Sequence, residues 1–200
     1  YAVLNDEESK KKSMFDKEFL EELSTNSPAP GGGSVAALSG SLGASLSSMV
    51  AALTHEKKEM LKSKSLMDEI GMEAQSLKDR LSDLIEEDTK AFNSVIAAIR
   101  LPQNTKEEKV FRDTAIQTAN KYAIEIPMET AEKCFRVMKL SEKLVENGNP
   151  NSVSDAGVAA EVALAGVRGA GMNVMINLSG LEDLSYVEDI KNKINKLIND

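Results

Sequence analysis

The sequence predicts an all-α fold, an antiparallel helical bundle with two small-residue helices in its core. Three observations predict it. Apolar residues recur at three- and four-residue spacing over long stretches, as one face of a helix requires. No segment alternates at period two for long enough to make a strand. Two long segments, 34–54 and 154–178, are built largely from Ala, Gly, Ser and Val, so neighbouring helix axes can approach closely there. Two hundred residues suit one domain with a large core, read here as spanning 1–200.

The elements follow in order. Residues 1–12, with NDEESKKK at their centre, read as a frayed terminus. A short amphipathic helix follows, with Phe15, Phe19, Leu20 and Leu23 on one side. Pro28, Pro30 and the glycines Gly31, Gly32 and Gly33 make a loop, because Pro lacks an amide donor and Gly loses the most backbone entropy on ordering. Ser34 is the expected N-cap of the first small-residue helix. From about Lys57 to Arg100, residues such as Ile70, Leu77, Leu81, Leu84 and Phe92 mark one long helix, with a bend expected near Gly71. Pro102 stops it, and Thr105 with Glu108 forms a capping-box pattern that opens the next, running to Val145. Pro127 is expected to kink or break that helix, since the carbonyl four residues earlier loses its donor. Gly148, Asn149 and Pro150 end it; the second small-residue helix runs from Ser154 to Leu178, and Gly180 closes it. Residues 182–200, with Tyr186, Ile190, Ile194, Leu197 and Ile198, read as a terminal amphipathic helix.

Composition narrows the function classes. A net charge of −8 argues against a nucleic-acid partner. A single cysteine, Cys134, excludes an internal disulfide and a cysteine-rich zinc site, and reads as a small buried hydrophobe. A single histidine, His55, argues against a protein-bound transition metal and leaves little room for histidine general-base schemes. The segment 24–54 carries no charged side chain and is long enough for a bilayer, but its serines and the lack of a basic flank favour a core or subunit-interface helix over a membrane span. With no secretory signal and cleavage site, a cytoplasmic protein is expected.

Candidate functional residues are the polar ones inside apolar stretches. The Gly31–Ser34 turn opens a helix whose first amides are unpaired, an end that attracts anions and allows close approach of a flat ligand. Asp88 lies one turn before Phe92 on the inward face of the long helix. A carboxylate there is either a desolvated proton shuttle with a raised pKa or a solvated boundary residue. Asp155, in the first turn of the second small-residue helix, either complements the helix dipole or works on a ligand. Glu161 and Arg168, two turns apart, suggest a structural ion pair with another helix. Asn173 and Asn177 either bind a ring's amide edge or satisfy a helix end. Lys57 and Lys58 either meet an anionic ligand or line a solvated face.

Several of these residues fall in blocks that resemble a known family. PAPGGGSVAAL with its Ala/Ser/Gly-rich helix, EDTKAFN, the Ile-Pro of AIEIPMETA, GNPNSVSDAGVAA and GMNVMINL occur in this order over about three-quarters of the chain. Together they resemble the formiminotetrahydrofolate cyclodeaminase and methenyltetrahydrofolate cyclohydrolase family. One block differs: after Leu-Thr the family tends towards Gly-Lys-Lys-Lys-Tyr, where this chain has HEKKEM. The resemblance implies a helical, homodimeric folate enzyme with a site near the subunit interface. It implies no metal, and no cofactor beyond the tetrahydrofolate substrate. It implies Asp88 as proton shuttle and Asp155 as cation stabiliser or pterin anchor. Gly31, Gly32, Gly33 and Ser34 would hold the pterin or a glutamate carboxylate, with Lys57, Asn173 and Asn177 as further contacts. Deamination of 5-formiminotetrahydrofolate ranks ahead of hydrolysis of 5,10-methenyltetrahydrofolate, and a non-catalytic helical assembly module is the competing class.

Overall fold

The computed structural model describes residues 17–199; the expectations for residues 1–12 and Phe15 lie outside them. The described residues are helical throughout, without a strand. Six α-helices follow one another: α1 (Glu18–Leu23), α2 (Gly32–His55), α3 (Lys64–Ile99), α4 (Lys106–Asn147), α5 (Val153–Leu178) and α6 (Leu184–Asn199). Short 3-10 turns occupy Lys58–Ser63 and Pro150–Ser152.

Three boundaries depart from the sequence reading. Helix α2 starts at Gly32, with Gly31 as N-cap and no capping side chain, so Ser34 sits inside the first turn instead of capping it. Helix α3 starts at Lys64 and not Lys57, because Lys58–Ser63 buries no residue against the bundle and Met60 leaves helical geometry. Gly71 lies inside the continuous α3, where a Cβ would touch that of Ala51 at 3.7 Å. Helix α6 starts at Leu184, where Asp183 Oδ1 accepts the Tyr186 amide at 3.1 Å. The capping box forms as expected, Thr105 accepting the Glu108 amide while Glu108 accepts that of Thr105.

Helix α4 runs unbroken through Pro127. The carbonyl that Pro127 deprives of a donor belongs to Ala123, and Asn177 of α5 donates Nδ2–H to it at 2.7 Å. A neighbouring helix thus supplies the missing hydrogen bond.

Helix α2 packs along α3 on one flank and α5 on the other, with α4 across both small-residue helices. Their small residues take the shape of α4: Cys134 Sγ sits where Gly40 and Gly166 have no side chains, and burial pushes its thiol up to about 12. A Cβ at Gly43 would come 2.8 Å from the Ala159 carbonyl, so the approach of α2 to α5 requires glycine there. Gly32 lies by Asn173, Ala36 by Gly169 and Gly43 by Ala159, so the start of α2 meets the far end of α5. Among the described residues α2 alone is long and apolar enough to cross a membrane. The ion pair expected from Glu161 or Arg168 to another helix does not form: both are exposed and without a partner among the described residues.

Candidate functional site

The site is built where α3 meets the first turn of α2. A helix leaves its first amides unpaired, and Gly31, as N-cap, has no side chain to serve them. Asp88 does so from α3. Its carboxylate accepts the Ser34 amide, and its Oδ2 lies 3.0 Å from the fully buried Ser34 hydroxyl. That hydroxyl also lies 3.1 Å from the Ile85 carbonyl, so its one proton is shared between two acceptors. Gly33 makes the approach possible: a Cβ there would fall on the Asp88 carboxylate, 2.6 Å from its Cγ and 2.8 Å from Oδ2. Next to Asp88, Glu87 receives Arg80 at 2.6 Å, and the same guanidinium reaches Glu129 of α4 at 2.7 Å. This bridge fixes α3 against α4 beside the carboxylate.

Burial raises the Asp88 carboxyl above the ordinary carboxylate range, while the hydroxyl and amide of Ser34 pull it part of the way back. The anion-attracting end of α2 is therefore already filled by this chain's own carboxylate. A ligand carboxylate in the glycine turn would face Asp88, so that part of the sequence reading is revised. The turn suits a flat or positively charged group instead.

Beside Asp88 opens a cavity of about 220 Å³, lined also by Gly31–Gly33, Phe92, Asn120, Asn173 and Asn177. The three asparagines share one feature. Asn173 gives Nδ2–H to the Gly169 carbonyl at 2.9 Å, Asn177 to Ala123 at 2.7 Å, and Asn120 to Gly180 at 3.0 Å. Their Oδ1 atoms accept nothing. Since no side-chain nitrogen or oxygen is both buried and unpartnered among the described residues, these oxygens stand at accessible positions. Each amide keeps its Oδ1 and one Nδ2–H unused, so the side-chain wall of the cavity offers both acceptors and donors beside the single carboxylate of Asp88. The backbone amides at the start of α2 are further donors beside it.

The structure thus gathers Gly31, Gly32, Gly33, Ser34, Asp88, Asn173 and Asn177 in one place. Lys57 and Asp155 are not among them. Lys57 lies beyond the other end of α2, roughly 35 Å along the helix axis, and Asp155 lies about 27 Å along α5 from Asn173. Lys57 Nζ donates to Asn149 Oδ1 at 2.7 Å, and Asp155, half-buried, has no partner among the described residues. Sequence reasoning missed Asn120. The available signal was its place two turns before Pro127, on the face that carries buried Ala123. Among the described residues no three His, Cys, Asp or Glu side chains cluster as a metal site would need.

Comparison with known proteins gives four findings. The family model described as formiminotransferase-cyclodeaminase matches residues 16–196. A methenyltetrahydrofolate cyclohydrolase of Methylorubrum extorquens is 41% identical over 171 residues, 86% of this chain and 82% of the relative. A formimidoyltransferase-cyclodeaminase of Rattus norvegicus is 35% identical over 90% of this chain, but the match spans only 33% of that longer protein. The crystal structure of a formiminotetrahydrofolate cyclodeaminase from Thermotoga maritima superimposes with a TM-score of 0.82 at 28% identity, over 92% of this chain and 88% of the other.

Proposed function

Because the chain belongs to the formiminotransferase-cyclodeaminase family, we propose that it is a folate one-carbon enzyme that closes 5-formiminotetrahydrofolate to 5,10-methenyltetrahydrofolate and releases ammonia. The observation that carries this is the Asp88 carboxylate: half-buried, raised in proton affinity, and opening on a cavity lined by three asparagines. In the reaction, N10 attacks the formimino carbon on N5 and its proton passes to Asp88. The tetrahedral carbon then expels its exocyclic nitrogen, which takes that proton and leaves as ammonia. Charge balances, since a protonated formimino group becomes the methenyl cation. A carboxylate whose proton affinity is raised by burial suits both transfers.

Hydrolysis of the methenyl compound is the second reading, favoured by the 41% identical cyclohydrolase, which this chain matches over most of its length. There Asp88 would take a proton from the attacking water. Neither reading calls on a metal or on a cofactor beyond the folate. The register of α2 on α5 supports an antiparallel bundle. We read the protein as a cytoplasmic homodimer, with α2 serving as a core helix and not a membrane span; Asp155 then reaches the chemistry only from a second subunit.

The test is the methenyl absorbance band with purified protein. Growth of the band with ammonia release from 5-formiminotetrahydrofolate is expected. Loss of the band faster than in buffer, starting from the methenyl compound, would select hydrolysis. No change with either substrate would leave the assembly-module reading. For Asp88→Asn, turnover should fall about 10²–10⁴-fold with the fold kept. Wild-type turnover should rise with pH as Asp88 ionises, through a midpoint above its ordinary 3.8, and the variant should lose that limb. A variant turning over at the wild-type rate would remove Asp88 from the mechanism.

A further inference from the structure

Helices α2 and α5 bury one side each against α4, yet both show apolar side chains on the side away from it. On α2 these are Val35, Leu42, Met49 and Leu53. On α5 the exposed stripe reads Val158, Glu161, Ala165, Arg168, Met172 and Ile176, with Met172 72% and Ile176 71% accessible. Such a face on the two most apolar helices of the chain marks an interaction surface. The pattern of the α5 stripe identifies what covers it.

From Val158 to Met172 the spacing of the stripe is nearly the same read in either direction about Ala165. Val158 stands seven residues before it and Met172 seven after; Glu161 stands four before and Arg168 three after. Glu161 and Arg168 are the only charged side chains in the stripe, opposite in sign and without a partner among the described residues. A two-fold axis reverses the order of a helix against itself, so a surface complementary to its own reverse is a surface for a second copy.

We propose that two copies pair about a two-fold axis at Ala165, each α5 crossing the other head to tail. Glu161 then meets Arg168 of the partner subunit, and Arg168 meets the partner subunit's Glu161. The small side chain of Ala165 lets the axes approach, and the one-residue mismatch between the charged positions amounts to about 1.5 Å, within reach of two long side chains. This rests on the dimeric reading above and gives it a face and a register. The register has a consequence for the site: ten residues after Ala165 is Met175, between Asn173 and Asn177, and ten before is Asp155. Asp155 of the partner subunit therefore stands level with the cavity end of α5. The two halves of the expected site, far apart in one chain, are brought to the same level across the axis.

Charge reversal tests the register, read by sedimentation across a concentration series. The wild type should be a dimer. Glu161→Arg and Arg168→Glu each place like charges at both contacts and should weaken self-association at least about tenfold. The double variant should associate as the wild type does. An equimolar mixture of the two single variants should form a one-to-one dimer, since one chain then brings two bases to the contact and the other two acids. That recovery also shows that each variant is folded. A single variant that dimerises like the wild type, or a mixture that fails to associate, overturns the register and leaves the dimeric reading standing. A monomeric wild type overturns both.

Discussion

The two ends of α2 are both tied to neighbouring helices by polar groups, yet one end is closed and the other open. At the far end Thr54 Oγ1 accepts the Asn149 amide at 2.8 Å, and Asn149 Oδ1 accepts both Lys57 Nζ at 2.7 Å and the Asn151 amide at 3.0 Å. Nearly every polar atom of this buried asparagine is used, so the knot joins α2 to the α4–α5 turn and has little left to offer. At the near end Asp88 holds the first turn of α2 while keeping a raised proton affinity, and three asparagines each spend one donor on a backbone carbonyl and keep the other donor and the oxygen open. The difference teaches that polar residues alone do not mark a site. What marks it is unused hydrogen-bonding capacity facing a cavity.

The strongest way to break the open end without touching a polar atom is Gly33→Ala. Its methyl group would occupy the place of the Asp88 carboxylate, which has to leave the Ser34 amide. Turnover should fall by about 100-fold or more, as for loss of the carboxylate itself. Overpacking should cost stability of about 1–3 kcal/mol. Gly71→Ala is the control away from the cavity, since its Cβ would meet only that of Ala51, at an ordinary 3.7 Å. Both variants can be compared by the methenyl absorbance assay and urea unfolding. Equal turnover in the two would mean that the contact with Asp88 is not what requires glycine at 33.

A smaller effect separates the two duties of Asn177. Asn177→Ala leaves the Ala123 carbonyl without a donor and should cost about 1–3 kcal/mol. Adding Pro127→Ala restores an amide proton to that carbonyl from within α4, so the double variant should regain much of the stability. If Asn177 Oδ1 also receives the ligand, KM should stay raised in the double variant. Recovery of stability and KM together would make Asn177 purely structural.

This pairing shows where the sequence is legible and where it is not. Helix content followed from spacing, the α4 start from Thr105 and Glu108, and Cys134 as a buried hydrophobe from its setting. Pro127 announced an orphan carbonyl, but not that Asn177 of another helix would satisfy it, because that contact joins residues 54 apart. Asp88 could be placed on an inward face by counting turns; that its carboxylate would replace an N-cap side chain for α2 could not. Ser34 was misplaced as the cap for the same reason. Local propensity favours serine at a helix start, whereas a tertiary carboxylate had already taken that duty. Lys57 and Asp155 looked like parts of the same site as Asp88, since residue type carries no information about which end of a helix a group occupies once the chain has folded back.

The smallest expected effect lies at the closed end. Lys57→Met removes one donor from Asn149 Oδ1, but the Asn151 amide still serves that oxygen. The lysine is half-exposed, so water screens its charge and a loss of at most about 1 kcal/mol is expected. KM for the folate should not move, because the ammonium is held in the knot. Urea unfolding together with KM checks both statements. A KM that rises while stability holds would show that this ammonium works on the ligand, and the closed end would then have to be counted as part of the site across the subunit contact. The same variant thus sharpens the contrast between the ends of α2 or removes it.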